Sequence, residues 1–238
     1  MLLTLILSAS ALDYSAYGRV LSTYVRGGQV DYTALKAHPE ELQHFLSDLA
    51  TVDLATLNPG QQEALYINAY NAFTLSLIVQ NYPIASIRDL DGGNPWGVRR
   101  FDFANGTITL DQIENKHLRL LGDPRVHAAI NCASISCPPL QGAPFLAETL
   151  DAQLEAAARD WVRGFTLSGG VLTGSRIFDW YGDDFRKGYG APDIAGVDGK
   201  VEAALNFVAH YWPEQAGALQ GGGVKLAYGE YDWGLNRR

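Results

Sequence analysis

The sequence predicts an α+β fold in one domain, and three observations carry that reading. Residues 61–80 are apolar nearly all round the helical wheel, the pattern of a helix in the middle of a domain. Two turns, Asn105-Gly106 and Gly169-Gly170, sit between apolar residues in hairpin spacing. Helical and extended patterns mix without the regular alternation that builds a doubly wound parallel sheet. The expected arrangement is a helical N-terminal half whose long buried helix packs on a mixed or antiparallel sheet.

The elements follow in order. Residues 2–7 are apolar and precede Ala9-Ser10-Ala11, a small-residue pattern that suits signal-peptidase cleavage. Residues 1–11 are therefore read as a signal peptide, residues 12–238 as the single domain, and the protein as exported to the periplasm or beyond. Residues 14–26 place Tyr17, Val20, Leu21 and Tyr24 on one helical face, with Gly27-Gly28 as the stop. Val30-Asp31-Tyr32 reads as a short extended piece. Residues 39–49 repeat Leu42, Phe45, Leu46 and Leu49, with Pro39 in the first turn. Asn58-Pro59 supplies a cap and first-turn proline for the long helix. Phe101, Phe103, Ile108 and Leu110 flank the first hairpin turn, and Asp111 is expected to cap a helix running to about residue 121. Residues 126–132 read as a buried strand, 147–162 as a helix, 165–174 as the second hairpin, 188–199 as a surface loop and 201–211 as the last helix.

Composition narrows the partners. Across 238 residues the formal charge is −8, with 47% hydrophobic and 18% charged residues, ordinary for a folded protein. Nucleic acid is excluded, because phosphate binding needs clustered Lys and Arg. No basic run is longer than two residues, as at Arg99-Arg100 and the terminal Arg237-Arg238. No segment is long and apolar enough to span a bilayer. No cofactor signature occurs, and a small-molecule or peptide-like ligand is the expected partner.

The chemistry concentrates between Glu114 and Cys137. His127, Ala129 and Asn131 would share one face of a strand, with Cys132 on the other. Cys137 precedes Pro138, a residue favoured at the first helical position, and a thiol there would have its thiolate stabilised by exposed N–H groups. His127 is the matching base, Glu114 the carboxylate that orients it, and Asn131 or a loop N–H the oxyanion donor. Cys132 is the rival nucleophile. His117, three residues beyond Glu114, would share its helical face. A zinc shell of His127, Cys132, Cys137 and Glu114 is a weaker alternative, since the ligand spacing is not a typical one. A plain Cys132–Cys137 disulfide is another. Asn68 and Asn71 lie on the buried helix, either tying loops to it or reaching a ligand. The aromatic–acidic segments at residues 179–185 and 231–236 could line a pocket, but Trp180 and Trp233 in them are read first as large core anchors.

These segments together resemble the bacterial proteins grouped as domain of unknown function 547. The resemblance rests on Val30-Asp31-Tyr32, the YINAYNA stretch at residues 66–72, Leu110-Asp111-Gln112-Ile113-Glu114 with Leu118-Arg119, and Asp123-Pro124-Arg125-Val126-His127. It continues through Asn131-Cys132-Ala133-Ser134, Ser136-Cys137-Pro138-Pro139, Trp180-Tyr181 with Asp184-Phe185, and Tyr231-Asp232-Trp233 with Leu235-Asn236. It implies a distant kinship with papain- and transglutaminase-type cysteine enzymes and a site of Cys132 or Cys137, His127 and Glu114. Two functions are expected from this reading. One is a thiol-dependent hydrolase or acyltransferase acting on an amide bond. The other is a non-catalytic ligand-binding or interaction module held by a Cys132–Cys137 disulfide.

Overall fold

A computed structural model describes residues 12–190 and 198–238. The expected signal peptide at residues 1–11, and residues 191–197 of the expected loop, lie outside the described residues. The α+β expectation holds, with helices supplying most of the core. Helix α1 (Ser15–Tyr24) ends in a two-residue ribbon, β1 (Val25–Arg26) and β2 (Gln29–Val30), turned by Gly27-Gly28. Asp31 then caps α2 (Tyr32–Ala37) by accepting the Ala34 N–H at 2.9 Å, a short helix that the extended reading of Val30-Asp31-Tyr32 missed. Helix α3 (Glu40–Thr51) follows.

The long helix α4 (Pro59–Asn81) starts as its sequence predicts. Asn58 accepts the Gln61 N–H and the Gln61 side chain accepts the Asn58 N–H, both at 2.9 Å, with Pro59 in the first turn. Every residue from Ala64 to Val79 is buried. The expected sheet platform is the part that differs. Helix α4 lies among α2, α3 and the helical turn at Leu110–Ile113 and rests Phe73 on Phe101 of a hairpin, ring centroids 4.5 Å apart. A helix apolar on all sides has to be wrapped on all sides, and other helices supply that cover better than one flat sheet face.

A short α5 (Pro95–Val98) leads to that hairpin, β3 (Phe101–Phe103) and β4 (Gly106–Ile108). Helix α6 (Leu110–Ile113) is capped by Thr109, not Asp111: the Thr109 hydroxyl accepts the Gln112 N–H and Gln112 reaches back to the Thr109 N–H. Thr109 is extended, as a cap must be, whereas Asp111 already lies inside the first turn. The helix then widens into a π turn over Glu114–Leu118 and closes as a 3-10 turn over Arg119–Leu121.

The expected strand at residues 126–132 is instead a single helical turn, α7 (Val126–Ala129), followed by extended chain. Asp123 accepts the Arg125 N–H at 2.9 Å and the His127 N–H reaches the Pro124 carbonyl at 3.1 Å, which winds the chain at this point. A short apolar run does not distinguish a buried strand from a buried helical turn. Helix α8 (Leu150–Val162) precedes β5 (Thr166–Ser168) and β6 (Val171–Gly174). Two unforeseen helices, α9 (Ile177–Trp180) and α10 (Gly182–Tyr189), come next, then α11 (Gly199–Tyr211), α12 (Ala216–Gln220) and β7 (Lys225–Tyr228). Strand β7 pairs parallel with β6, so this three-stranded sheet is mixed. Phe178 and Phe185 meet edge to face at 4.6 Å, and Trp161 of α8 stacks on Phe178. That aromatic packing fixes α9 and α10.

The extended C-terminal segment laces the cysteine loop to the N-terminal ribbon. Ile135 N–H donates to the Gly234 carbonyl at 2.8 Å, Asn236 N–H to Ala133 at 3.1 Å, and Val30 N–H to Asn236 at 2.8 Å. From the other side the loop abuts Gly28, where a β-carbon would fall 2.8 Å from that of Pro139 at a φ of +80°. Gly28→Ala is therefore expected to cost at least about 1–3 kcal/mol from backbone strain and overlap. Thermal denaturation checks this, and an unchanged Tm would show that the loop yields freely.

Candidate functional site

The buried amides build the frame of the site. Asn68 of α4 forms a closed pair with the Phe145 backbone, donating to its carbonyl at 2.7 Å and accepting its N–H at 3.0 Å. One turn on, Asn71 donates to the Ala129 carbonyl at 2.9 Å and accepts the Asn131 N–H at 2.8 Å. Asn131 in turn donates to the Pro138 carbonyl at 2.8 Å and accepts the Ala133 N–H at 2.8 Å. All three side chains thus bind loop backbone and stand outside the cavity. This is the loop-tying arrangement, with no amide group left pointing at a ligand.

The frame borders a cavity of about 370 Å³. Glu114, His127, Cys132 and Cys137 all line it, so residues spread over three segments of the chain converge as the sequence expects. Its remaining wall is largely aromatic: Tyr70 from α4, Trp96 from α5, Trp180 and Tyr181 from α9 and its end, and Tyr231 and Trp233 from the C-terminal segment. Trp180 is 45% exposed, and both tryptophans border the cavity in place of the core role expected of them. His117 is not part of this wall; it stacks on Tyr66 with ring centroids 4.2 Å apart.

His127 is buried, and its Nε2 lies 3.0 Å from Oδ2 of Asp184. The same carboxylate takes Arg119 Nε at 2.5 Å and Nη2 at 3.3 Å, while Arg119 Nη1 donates to Asn115. Burial opposes ionisation of Asp184, but the hydrogen bonds from His127 and Arg119 outweigh it and hold its carboxyl well below the usual carboxylate range. An ionised carboxylate only accepts, so Nε2 carries a proton directed at Asp184. The imidazole is clamped between this acceptor and the ring of Tyr181, 4.3 Å away.

Glu114 meets different company. It is 8% exposed, and it is met by two phenols, that of Tyr70, whose hydroxyl lies 3.4 Å from Oε2, and that of Tyr181. Among the described residues no Lys, Arg or His forms an ion pair with it, whereas Asp184 has two such partners. Burial first, and then the Glu114 charge, push the phenols of Tyr70 and Tyr181 well above their ordinary range. Tyr231 is pushed up to about 12, chiefly by burial. The phenols therefore stay protonated as donors. Asp184 holds the position beside His127 that sequence reasoning assigns to Glu114.

Cys132 and Cys137 form a disulfide, and no free cysteine occurs. The Cys132 N–H donates to Cys137 Sγ at 2.9 Å, and the Tyr231 hydroxyl lies 3.3 Å from each sulfur. Both sulfurs are bonded to each other, which leaves no thiolate for the zinc shell considered above. The expected helix after Cys137 is absent: residues 137–140 are extended or bent, and Leu140 bridges to Gly28. A residue preceding proline is disfavoured in the helical region, and Pro139 imposes that on Pro138.

Comparison with known proteins adds one finding to this geometry. Residues 54–162 match the model of a family described as protein of unknown function, DUF547. This bears out the family resemblance read from the sequence. No curated protein and no solved structure matches the chain. The DUF547 match contains the amide frame, Glu114, His127 and both cysteines, while Asp184, Trp180, Tyr231 and Trp233 lie beyond it. Sequence reasoning found the matched part of the site and missed Asp184, Arg119 and Tyr70. The signal available for Asp184 was its place in the aromatic–acidic stretch at residues 179–185, which has no helical or strand period to explain it.

Proposed function

We propose that this chain is a ligand-binding module that holds a small or peptide-like molecule in the aromatic cavity, with the Cys132–Cys137 disulfide as part of the wall. The observation that carries this reading is the disulfide, together with the cavity it borders. The volume lies in the range of small-molecule sites, which are largely apolar with a few convergent polar groups. The disulfide also supports an exported location, since such bonds persist in oxidising compartments. Alkylation of the purified protein with mass-spectrometric mapping tests it. Both sulfurs should label only after reduction, and fast labelling of either without reductant would sink the reading.

A second reading is favoured by the presence of His127, Glu114 and both sulfurs on one cavity wall. Here a dithiol reductant opens the disulfide and is itself oxidised, delivering two electrons and two protons to the two cysteines. Nδ1 of His127 then takes the Cys137 or Cys132 proton, the thiolate attacks an amide carbonyl carbon, and the C–N bond breaks as the imidazolium returns the proton to the amine. Transfer of the acyl group to water or to an acceptor completes a hydrolase or acyltransferase cycle. In the reduced protein one cysteine should alkylate well below the ordinary thiol pKa of about 8.5, and His127→Ala should slow it about tenfold or more. Equal labelling of wild type and variant across pH would remove this reading and leave the binding module.

A further inference from the structure

The cavity wall has a composition that selects by charge. Its aromatic side chains are three tryptophans, Trp96, Trp180 and Trp233, and three tyrosines, Tyr70, Tyr181 and Tyr231. Its carboxylates are Glu114 and Asp111, and neither Lys nor Arg lines it. Aromatic faces carry negative potential and attract cations, most strongly those that are weakly hydrated.

Glu114 sharpens the argument. A buried carboxylate is costly unless a cation or several donors satisfy it. The fold supplies Arg119 and His127 to Asp184, but Glu114 is met by the neutral phenols of Tyr70 and Tyr181 and lines the cavity. The rings already act as cation platforms toward the protein's own side chains. Arg88 sits 5.1 Å from the Trp233 centroid and Arg119 sits 4.7 Å from that of Tyr181. Arg119 is hydrogen-bonded to Asp184, and Glu114 feels its charge only at longer range, without an ion pair.

We infer that the cavity takes a ligand carrying a positively charged ammonium group, seated among the aromatic rings with its charge opposed by Glu114. This rests on the binding-module reading and names the chemical class of its ligand. The cation completes the buried carboxylate, and Asp111 at the exposed rim adds attraction on approach. Anionic ligands meet two carboxylates and neither Lys nor Arg in the wall.

Three probes of one shape test the inference on the oxidised full chain: choline, the neutral 3,3-dimethylbutan-1-ol and the anionic 3,3-dimethylbutanoate. Tryptophan fluorescence titration and calorimetry read binding. Choline should bind about tenfold or more tighter than the alcohol, the gain expected of a desolvated cation on aromatic faces, and the acid should bind weakest. Glu114→Gln should remove most of that advantage and leave the affinity for the alcohol unchanged. If Glu114→Gln fails to fold, Asp111→Asn and the salt dependence of choline binding replace it, each expected to weaken choline alone. Choline binding no tighter than the alcohol, or choline affinity indifferent to Glu114→Gln, would overturn the inference while leaving the pocket reading intact. A response to none of the three would count against both.

Discussion

Asn71→Ala is expected to destabilise the protein by about 2–5 kcal/mol, because it strips hydrogen-bond partners from two buried backbone groups at once, each worth roughly 1–3 kcal/mol. The Ala129 carbonyl loses its donor and the Asn131 N–H loses its acceptor, at a site where the side chain itself is 3% exposed. Water has little access to replace either. For a chain of this size the expected fall in Tm is roughly 5–15 °C. The effect should not stay local. Asn131 ties Pro138 and Ala133, and Asn236 reaches its Oδ1 from the C-terminal segment at 3.3 Å, so loss of Asn71 loosens the whole loop that carries the cysteines. Urea denaturation measures the first effect, and faster reduction of the disulfide measures the second. A loss under 1 kcal/mol would mean that the loop is held from its other side, by Gly28 and the C-terminal segment, and that the helix contributes little to it.

What the sequence made legible follows physical range. The start of α4 was readable to the residue because Asn58, Pro59 and Gln61 act on one another within a single turn. The first hairpin was readable, but its turn falls one residue earlier than Asn105-Gly106: Ala104 and Asn105 take positive φ of 50° and 58°, and Gly106 already pairs with Phe103. The cap at Thr109 was misassigned to Asp111 because both are good capping types two residues apart, and only the backbone angles separate them. The turn at Val126–Ala129 failed for a different reason. Four residues, Val, His and two Ala, carry too little periodicity, and the groups that wind them, Asp123 and Pro124, sit outside the run.

The site divides along the same line. Glu114, His127 and the cysteines were found because their spacing and residue types are unusual within short segments. Their grouping on one cavity then depended on the fold. Asp184 lies 57 residues from His127 and reaches it only because Phe178 and Phe185 pin α9 and α10 into the aromatic core. No local pattern carries such a pairing. The consequence is a division of labour between two buried carboxylates that the sequence presents as equivalent. Asp184 is saturated by the Arg119 guanidinium and the imidazole N–H, while Glu114 is left to the phenols and the cavity.

Asp184→Ala is the sharpest test of that division. It would leave the His127 ring without its acceptor and the Arg119 guanidinium without its carboxylate. Removing one member of a fully buried pair costs roughly 3–5 kcal/mol. The Arg119 side chain retains 28% exposure and is partly rehydrated, so a loss of about 2–4 kcal/mol is expected here. The pH dependence carries a second, independent signature. The folded-state pKa of Asp184 is depressed relative to the unfolded chain, so its contribution is complete above the ordinary carboxylate range and is lost as pH falls through that range toward the lowered value. Asp184→Asn should therefore flatten the acid limb of the stability curve below about pH 4, while the wild type loses stability there. An acid limb unchanged in Asp184→Asn would mean that Arg119 and His127 give the carboxylate nothing in the folded state, and the assignment of Asp184 to the imidazole would have to be abandoned.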